Sequence, residues 1–268
     1  MSDGLVKIES VDSKTAAYAA LVAKRKKCLK CRDVVNPAVV ANGRFDHALH
    51  VGAWTDWQGN LDSEIMVIGQ EWGGEDNYLR QAGRDNDSDA TNRNLVTLMA
   101  KGMQRELPPP SAFQGKPASG DYFFTNAVLC LRKGAATSAM GAKNDISEGS
   151  FVNCGSAFLR PQIELIRPLA VLVLGKSAWN GLMSAFGLKY HYSHRDNFES
   201  GLVRLNETTI AVPLYHCGSK AHLNRPISLQ EVDWSKARVA IYRLQVASQQ
   251  EMLKPDPSGM TKNTTGKV

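Results

Sequence analysis

Ile65-Met66-Val67-Ile68-Gly69-Gln70-Glu71-Trp72-Gly73-Gly74 is the stretch on which the fold turns. Apolar residues, mostly β-branched, run without a polar interruption into a turn rich in glycine. Unbroken apolarity over a short run reads as a strand buried on both faces, which a parallel sheet with helices above and below provides. The turn then sets the Glu71 carboxylate among glycines that let backbone approach a ligand closely. There it can orient water or stabilise a cation; an exposed Glu in an ordinary strand-to-loop turn has the same sequence.

The runs 122–129, 170–174 and 208–215 share the pattern of 65–70. Between them, helical spacing covers 91–105, 154–166 and 176–186, and a closing helix is expected at 233–252. Strand and helix alternate, so the sequence predicts the α/β class: a three-layer α/β/α sandwich around a central four-stranded, mainly parallel sheet. Residues 11–27 form one more helix, ending in the basic run Lys24-Arg25-Lys26-Lys27 and delivering Cys28. Residues 1–253 are expected to be a single domain. Residues 254–268, rich in Pro, Ser, Gly, Thr and Lys, cannot build a core.

Composition narrows the function. The 268 residues are 43% hydrophobic and 22% charged, which disfavours disorder, collagen and a disulfide miniprotein. Thirty-two Lys and Arg against 26 Asp and Glu give a net charge of +6, which suits a polyanionic partner without requiring one. No apolar run is long enough to span a bilayer, and Met1–Lys7 lacks the apolar centre of a signal peptide, so a cytoplasmic protein with no membrane partner is expected. In a reducing compartment, five cysteines point to a metal, a cluster, a catalytic thiol or core packing rather than to disulfides.

Gly69, Asn126, Gly175 and His216 fall at or near the C-terminal ends of the expected strands, where open α/β sheets bind ligands. Asn126 interrupts an apolar strand with a carboxamide whose donor and acceptor can read the edge of a base or amide-like ring; bonding to nearby backbone would occupy it equally well. His216 is followed by Ser219, Lys220, His222, Asn224 and Arg225 in a basic, polar loop suited to phosphate, although a strand-end His can also be structural. Cys28 and Cys31 form a C-x-x-C pair, while Cys130 follows the Asn126 strand and Cys154 opens an expected helix. Four thiolates can hold zinc or a 4Fe-4S cluster, and composition does not choose between them.

In this order the pieces resemble the uracil-DNA glycosylase superfamily, and the cysteines its iron-sulfur branch, over the span from Cys28 to Pro226. Gly69-Gln70-Glu71-Trp72-Gly73 is similar to the family's Gly-Gln-Asp-Pro or Gly-Glu-Ala-Pro-Gly turn. Thr125-Asn126-Ala127-Val128-Leu129-Cys130 resembles its Asn-bearing strand, 168–178 its strand-glycine-helix segment, and His216-Cys217-Gly218 stands where the family has His-Pro-Ser. The resemblance implies a DNA repair hydrolase that flips deoxyuridine out of DNA and cuts its N-glycosidic bond, leaving an abasic site.

Roles follow from the same resemblance. Asn126 would read the uracil edge, His216 would donate to O2 as the base departs, and Glu71 would orient water and stabilise the cationic sugar, with Gly69 and Gln70 also substrate-binding and the backbone around Gln70 and Glu71 helping to hold O2. Tyr78, or else Trp72, would stack on the base. Ser219, Lys220 and Arg225 would bind phosphate and Leu223 would fill the vacated base stack. Cys28, Cys31, Cys130 and Cys154 would hold a structural 4Fe-4S cluster, with zinc as the fallback. DNA containing uracil or abasic sites is the implied partner, and a monomer the implied state. Trp72 replaces the motif proline and Cys217-Gly218 replaces Pro-Ser, which leaves open a protein that binds uracil or abasic sites with little turnover.

Overall fold

The computed structural model describes residues 11–54, 56–113, 122–133, 146–189, 202–218 and 225–252, with side chains from residue 13 to residue 246 of those spans. Its main sheet holds β2 (Ile65–Gly69), β3 (Tyr122–Asn126), β5 (Ala170–Leu174), β6 (Val203–Arg204) and β7 (Ile210–Leu214), in the spatial order β3-β2-β5-β7-β6. β3, β2, β5 and β7 run parallel, as the apolar runs predict. The sheet has five strands, not four: β6 adds an antiparallel edge through Val203↔Ala211 and Arg204↔Ile210. Two residues carry no alternation, so β6 left no readable trace in the sequence.

Successive residues of each strand point to opposite faces, and each face is covered. Met66, Ile68, Phe123, Val171 and Val173 pack with Tyr18 and Val22 of α1 (Val11–Lys26), Ile163 of α5 (Arg160–Ile166) and Trp179 and Leu182 of α6 (Lys176–Ala185). Ile65, Val67, Phe124, Leu172 and Val212 pack instead with Leu95 and Leu98 of α3 (Ala90–Leu98) and Trp234 of α7 (Ile227–Met252). This is the three-layer arrangement. Among the described residues no helix is long and apolar enough to cross a membrane.

Several boundaries differ from the expected ones, each for a local reason. β3 stops at Asn126 because the chain then turns across its neighbour, with Ala127 N–H donating to the Gly69 carbonyl at 2.9 Å and Val128 N–H to that of Gln70 at 3.0 Å. α3 passes into a π turn at Met99–Met103, which ends at Gln104 with φ 55°. The helix expected from Cys154 begins earlier, at Glu148, where the Ser147 hydroxyl accepts from Ser150 N–H. Cys154 therefore closes α4 (Glu148–Cys154) instead of opening a helix. A π turn at Gly155–Leu159 then joins α4 to α5. Gly155 sits there because a Cβ would stand 3.0 Å from that of Ala185 on α6, so a larger residue would push the helices apart. α7 starts at Ile227, directly after Pro226.

A second, two-stranded sheet pairs β1 (Val34–Val35) with β4 (Leu131–Arg132), antiparallel, through Val34↔Arg132 and Val35↔Leu131. It brings the segment after Cys31 against the segment after Cys130. The tail 254–268 and most of the insertion 134–150 lie outside the described residues.

Candidate active site

The C-terminal edge of the sheet opens into a cavity of about 280 Å³ whose walls include Trp54, Glu71, Trp72, Asn126, Arg132 and His216. Glu71 follows β2, Asn126 ends β3, and His216 follows β7, so three strand ends deliver three polar groups to one space. β5, between β2 and β7, contributes Leu174.

Gly69 pairs with Asn126 across β2 and β3. A Cβ on residue 69 would lie 2.4 Å from Asn126 Oδ1 and 3.0 Å from the Trp54 ring, so the glycine makes room for the amide. Asn126 is 3% exposed, and its Oδ1 is buried with no hydrogen-bond donor among the described residues. A buried acceptor left unpaired is costly, and a strand-end amide held in that state is poised for a ligand N–H.

Glu71 has a side chain only 8% exposed, and Oε1 meets Arg132 Nε at 2.9 Å. Oε2 is buried and accepts no hydrogen bond among the described residues. Burial pushes the carboxyl above its ordinary range, opposed by the Arg132 charge and by a hydrogen bond from the Gln70 side chain.

His216 is seated by two glycines. Gly175 has φ +86°, and a Cβ on it would come 3.1 Å from that of His216, so the β5–α6 turn is kept bare beneath the imidazole. Gly218 N–H donates to His216 Nδ1 at 2.9 Å. Nδ1 is therefore an acceptor, and the neutral ring carries its proton on Nε2. Burial lowers the imidazole pKa, with Asp89 pulling the other way. Asp89 is itself engaged at the start of α3, accepting from Thr91 N–H at 2.8 Å. The result is a neutral imidazole with one fixed donor.

The aromatic wall differs from the expected one. Tyr78 on α2 (Glu75–Arg80), the first choice for stacking, is 1% exposed, packs edge-on against Phe45 and Trp72, and is not among the residues lining the cavity. Trp72 does line it, held by its Nε1–H donating to Asp85 Oδ1 at 2.8 Å; burial pushes the Asp85 carboxyl up to about 8. Trp54, which sequence reasoning missed, forms another part of the wall, braced edge-on by Phe124 at 5.3 Å. Its position in a loop upstream of β2 hid it, since nothing in the sequence ties that loop to the Glu71 turn. Arg132 and Asp85 were missed too. Arg225 is turned inward, gripping Asp233 through Nε at 2.9 Å and Nη2 at 2.6 Å and lying over the Tyr215 ring. Ser219, Lys220 and Leu223 lie outside the described residues.

Cys28, Cys31, Cys130 and Cys154 line a second cavity of about 100 Å³. Asn36 fixes the approach, its Nδ2 donating to the carbonyls of Arg25 at 2.7 Å and Cys28 at 2.9 Å. Leu129 N–H donates to Cys154 Sγ at 3.3 Å, and Asn153 Nδ2 to Cys31 Sγ at 3.6 Å. Burial pushes the Cys130 thiol up to about 12, reinforced by the charges of Cys28 and Cys31. Four thiols on one small cavity are a donor set of the kind that sulfur-ligated metals use. Among the described residues no group of three or more His, Cys, Asp and Glu is arranged to hold a metal ion. The two cavities share a segment: Asn126 and Arg132 face the first, Val128, Leu129 and Cys130 the second.

Comparison with known proteins adds two findings. The family model described as the Uracil DNA glycosylase superfamily matches residues 57–225. A protein of Pyrobaculum aerophilum named Type-5 uracil-DNA glycosylase is 27% identical over 176 residues, covering 63% of this chain and 71% of that protein.

Proposed function

The chain belongs to the uracil DNA glycosylase superfamily, and on that premise we propose that it hydrolyses the N-glycosidic bond of deoxyuridine in DNA. The flipped base would enter the cavity at the sheet edge. One observation carries this reading: Glu71, Asn126 and His216, far apart in the chain, wall the same space.

Each group then has a task its surroundings suit. The unpaired Asn126 Oδ1 accepts the N3–H of uracil, a proton cytosine lacks, while Trp54 or Trp72 offers the ring a stacking face. As the bond to C1′ breaks, negative charge collects on the base; the Nε2–H of His216 donates to O2 and holds that charge in a buried site. The electron pair of the bond leaves with the base, and the sugar becomes cationic. Glu71 accepts a hydrogen bond from the attacking water through Oε2 and opposes the sugar's positive charge. Lys220 and Ser219 remain the proposed phosphate contacts, with Leu223 proposed to occupy the vacated stack. Arg225, being paired to Asp233, has less charge to offer.

The test is incubation of the purified protein with uracil-containing oligonucleotides, single- and double-stranded, followed by alkaline cleavage of abasic sites. Release of uracil is expected from at least one form; none from either sinks the reading. Tight binding without release would point instead to a damage-binding protein. We expect Glu71→Gln to lower turnover at least tenfold more than it lowers DNA affinity, since the amide keeps the shape but loses the charge. Equal losses would remove Glu71 from the chemistry.

We further propose that Cys28, Cys31, Cys130 and Cys154 hold a 4Fe-4S cluster. What supports the reading is that all four thiols line one cavity and that four Cys thiolates are the usual ligand set of such a cluster. Such a cluster would tie α1, β4 and α4 together and leave the substrate chemistry to the other cavity. Protein purified without oxygen should contain iron and sulfide and show visible absorbance that dithionite bleaches. Cys154→Ala should lose both and melt at lower temperature; zinc in place of iron would turn the assignment to the single ion.

A further inference from the structure

Arg132 has no task in the chemistry above, yet it is the only Lys or Arg among the described residues lining the catalytic cavity. Its backbone is fixed from two sides. Its N–H donates to the Gly73 carbonyl at 2.8 Å, within a parallel bridge to Gly74, and across the small sheet it pairs with Val34. From that base the guanidinium, 47% exposed, reaches the 8% exposed Glu71 carboxylate through Nε at 2.9 Å. It takes Oε1 and leaves Oε2 buried without a partner. A cation anchored to the same glycine turn that carries the acid sets the direction of that acid as well as its charge.

We infer that Arg132 is a positioning residue: it holds Glu71 as a carboxylate and directs Oε2 to the attacking water. This rests on the glycosylase reading of Glu71. The other titratable groups around the cavity are Asp85 and Asp89, from the loop before α3, and His216 after β7; Arg132 is the cation paired with the acid. Burial raises the Glu71 pKa and Arg132 opposes the rise. Removing Arg132 raises it further, so any rate that needs the carboxylate loses its acidic side first and recovers only at higher pH.

The experiment compares the full chain with Arg132→Met, Arg132→Gln and Arg132→Lys. The Glu71 carboxyl is followed by ¹³C NMR titration and identified by its absence in Glu71→Gln. Arg132→Met and Arg132→Gln should move its midpoint upward by about 1–3 pH units, and the acidic limb of single-turnover uracil release should move with it. DNA affinity should change less than turnover, and Arg132→Lys should recover most of both shifts. A midpoint unmoved in a folded neutral variant overturns the inference, as does a lysine no better than methionine. Loss of DNA affinity with an unmoved midpoint would make Arg132 a phosphate contact instead. Should the unaltered chain release no uracil, the glycosylase reading fails, while the carboxyl titration, which uses no substrate, still decides whether Arg132 controls Glu71.

Discussion

Asn126→Ala should lower the rate of uracil release by about 10²–10³, on the order of 3–4 kcal/mol of transition-state stabilisation. The amide stands where the β2–β3 register places it opposite Gly69, with its oxygen buried and unpaired. A site built to accept one N–H pays twice when the wrong base enters: the bond is not made, and the acceptor stays dry. The alanine variant should therefore lose discrimination between uracil and cytosine together with rate, while binding of undamaged DNA hardly changes. Stability should fall little, since the lost oxygen has no partner in the fold. Single-turnover kinetics on matched uracil and cytosine oligonucleotides measure both quantities. A loss under tenfold would show that the base is read elsewhere.

His216→Ala should cost a similar factor, again about 10²–10³, and should fall on kcat rather than KM because the bond to O2 strengthens only as charge develops. The Gly218 N–H on Nδ1 makes a sharper comparison available. Asparagine and glutamine keep a donor but lose the backbone clamp that aims it, so both should stay well below the native rate. Because burial holds the imidazole pKa down, the ring is neutral through the neutral pH range, and no step in rate from this group is expected there. Full activity in His216→Ala would break the assignment.

Much of this site was legible because apolar runs ended in polar residues. The runs at 65–70 and 170–174 could hardly be anything but buried strands, and the groups at strand C-termini then had to meet at one edge of a parallel sheet. What stayed hidden depends on pairing between distant short segments. β6, β1 and β4 are two residues each, too short for any periodicity, and the pairing of β1 with β4 is what fixes Arg132. Trp54 arrives from a loop before β2 and is recognisable only by its contacts with Gly69 and Phe124. Tyr78 was misjudged because an aromatic near a glycine-rich turn looks the same whether it faces a ligand or fills the core beside Phe45. The π turns were invisible for a related reason: Gly155 announces close contact with α6 only once α6 is in place.

The strand order also governs when the pocket is first complete. Glu71 and Asn126 come from neighbouring strands, but His216 waits at the far side of β5, after the last of the parallel strands in chain order. A polypeptide emerging from the ribosome therefore carries an incomplete pocket until β7 has docked. The three polar groups share one wall only with the last parallel strand in place, which makes the assembled sheet itself the precondition for the pocket.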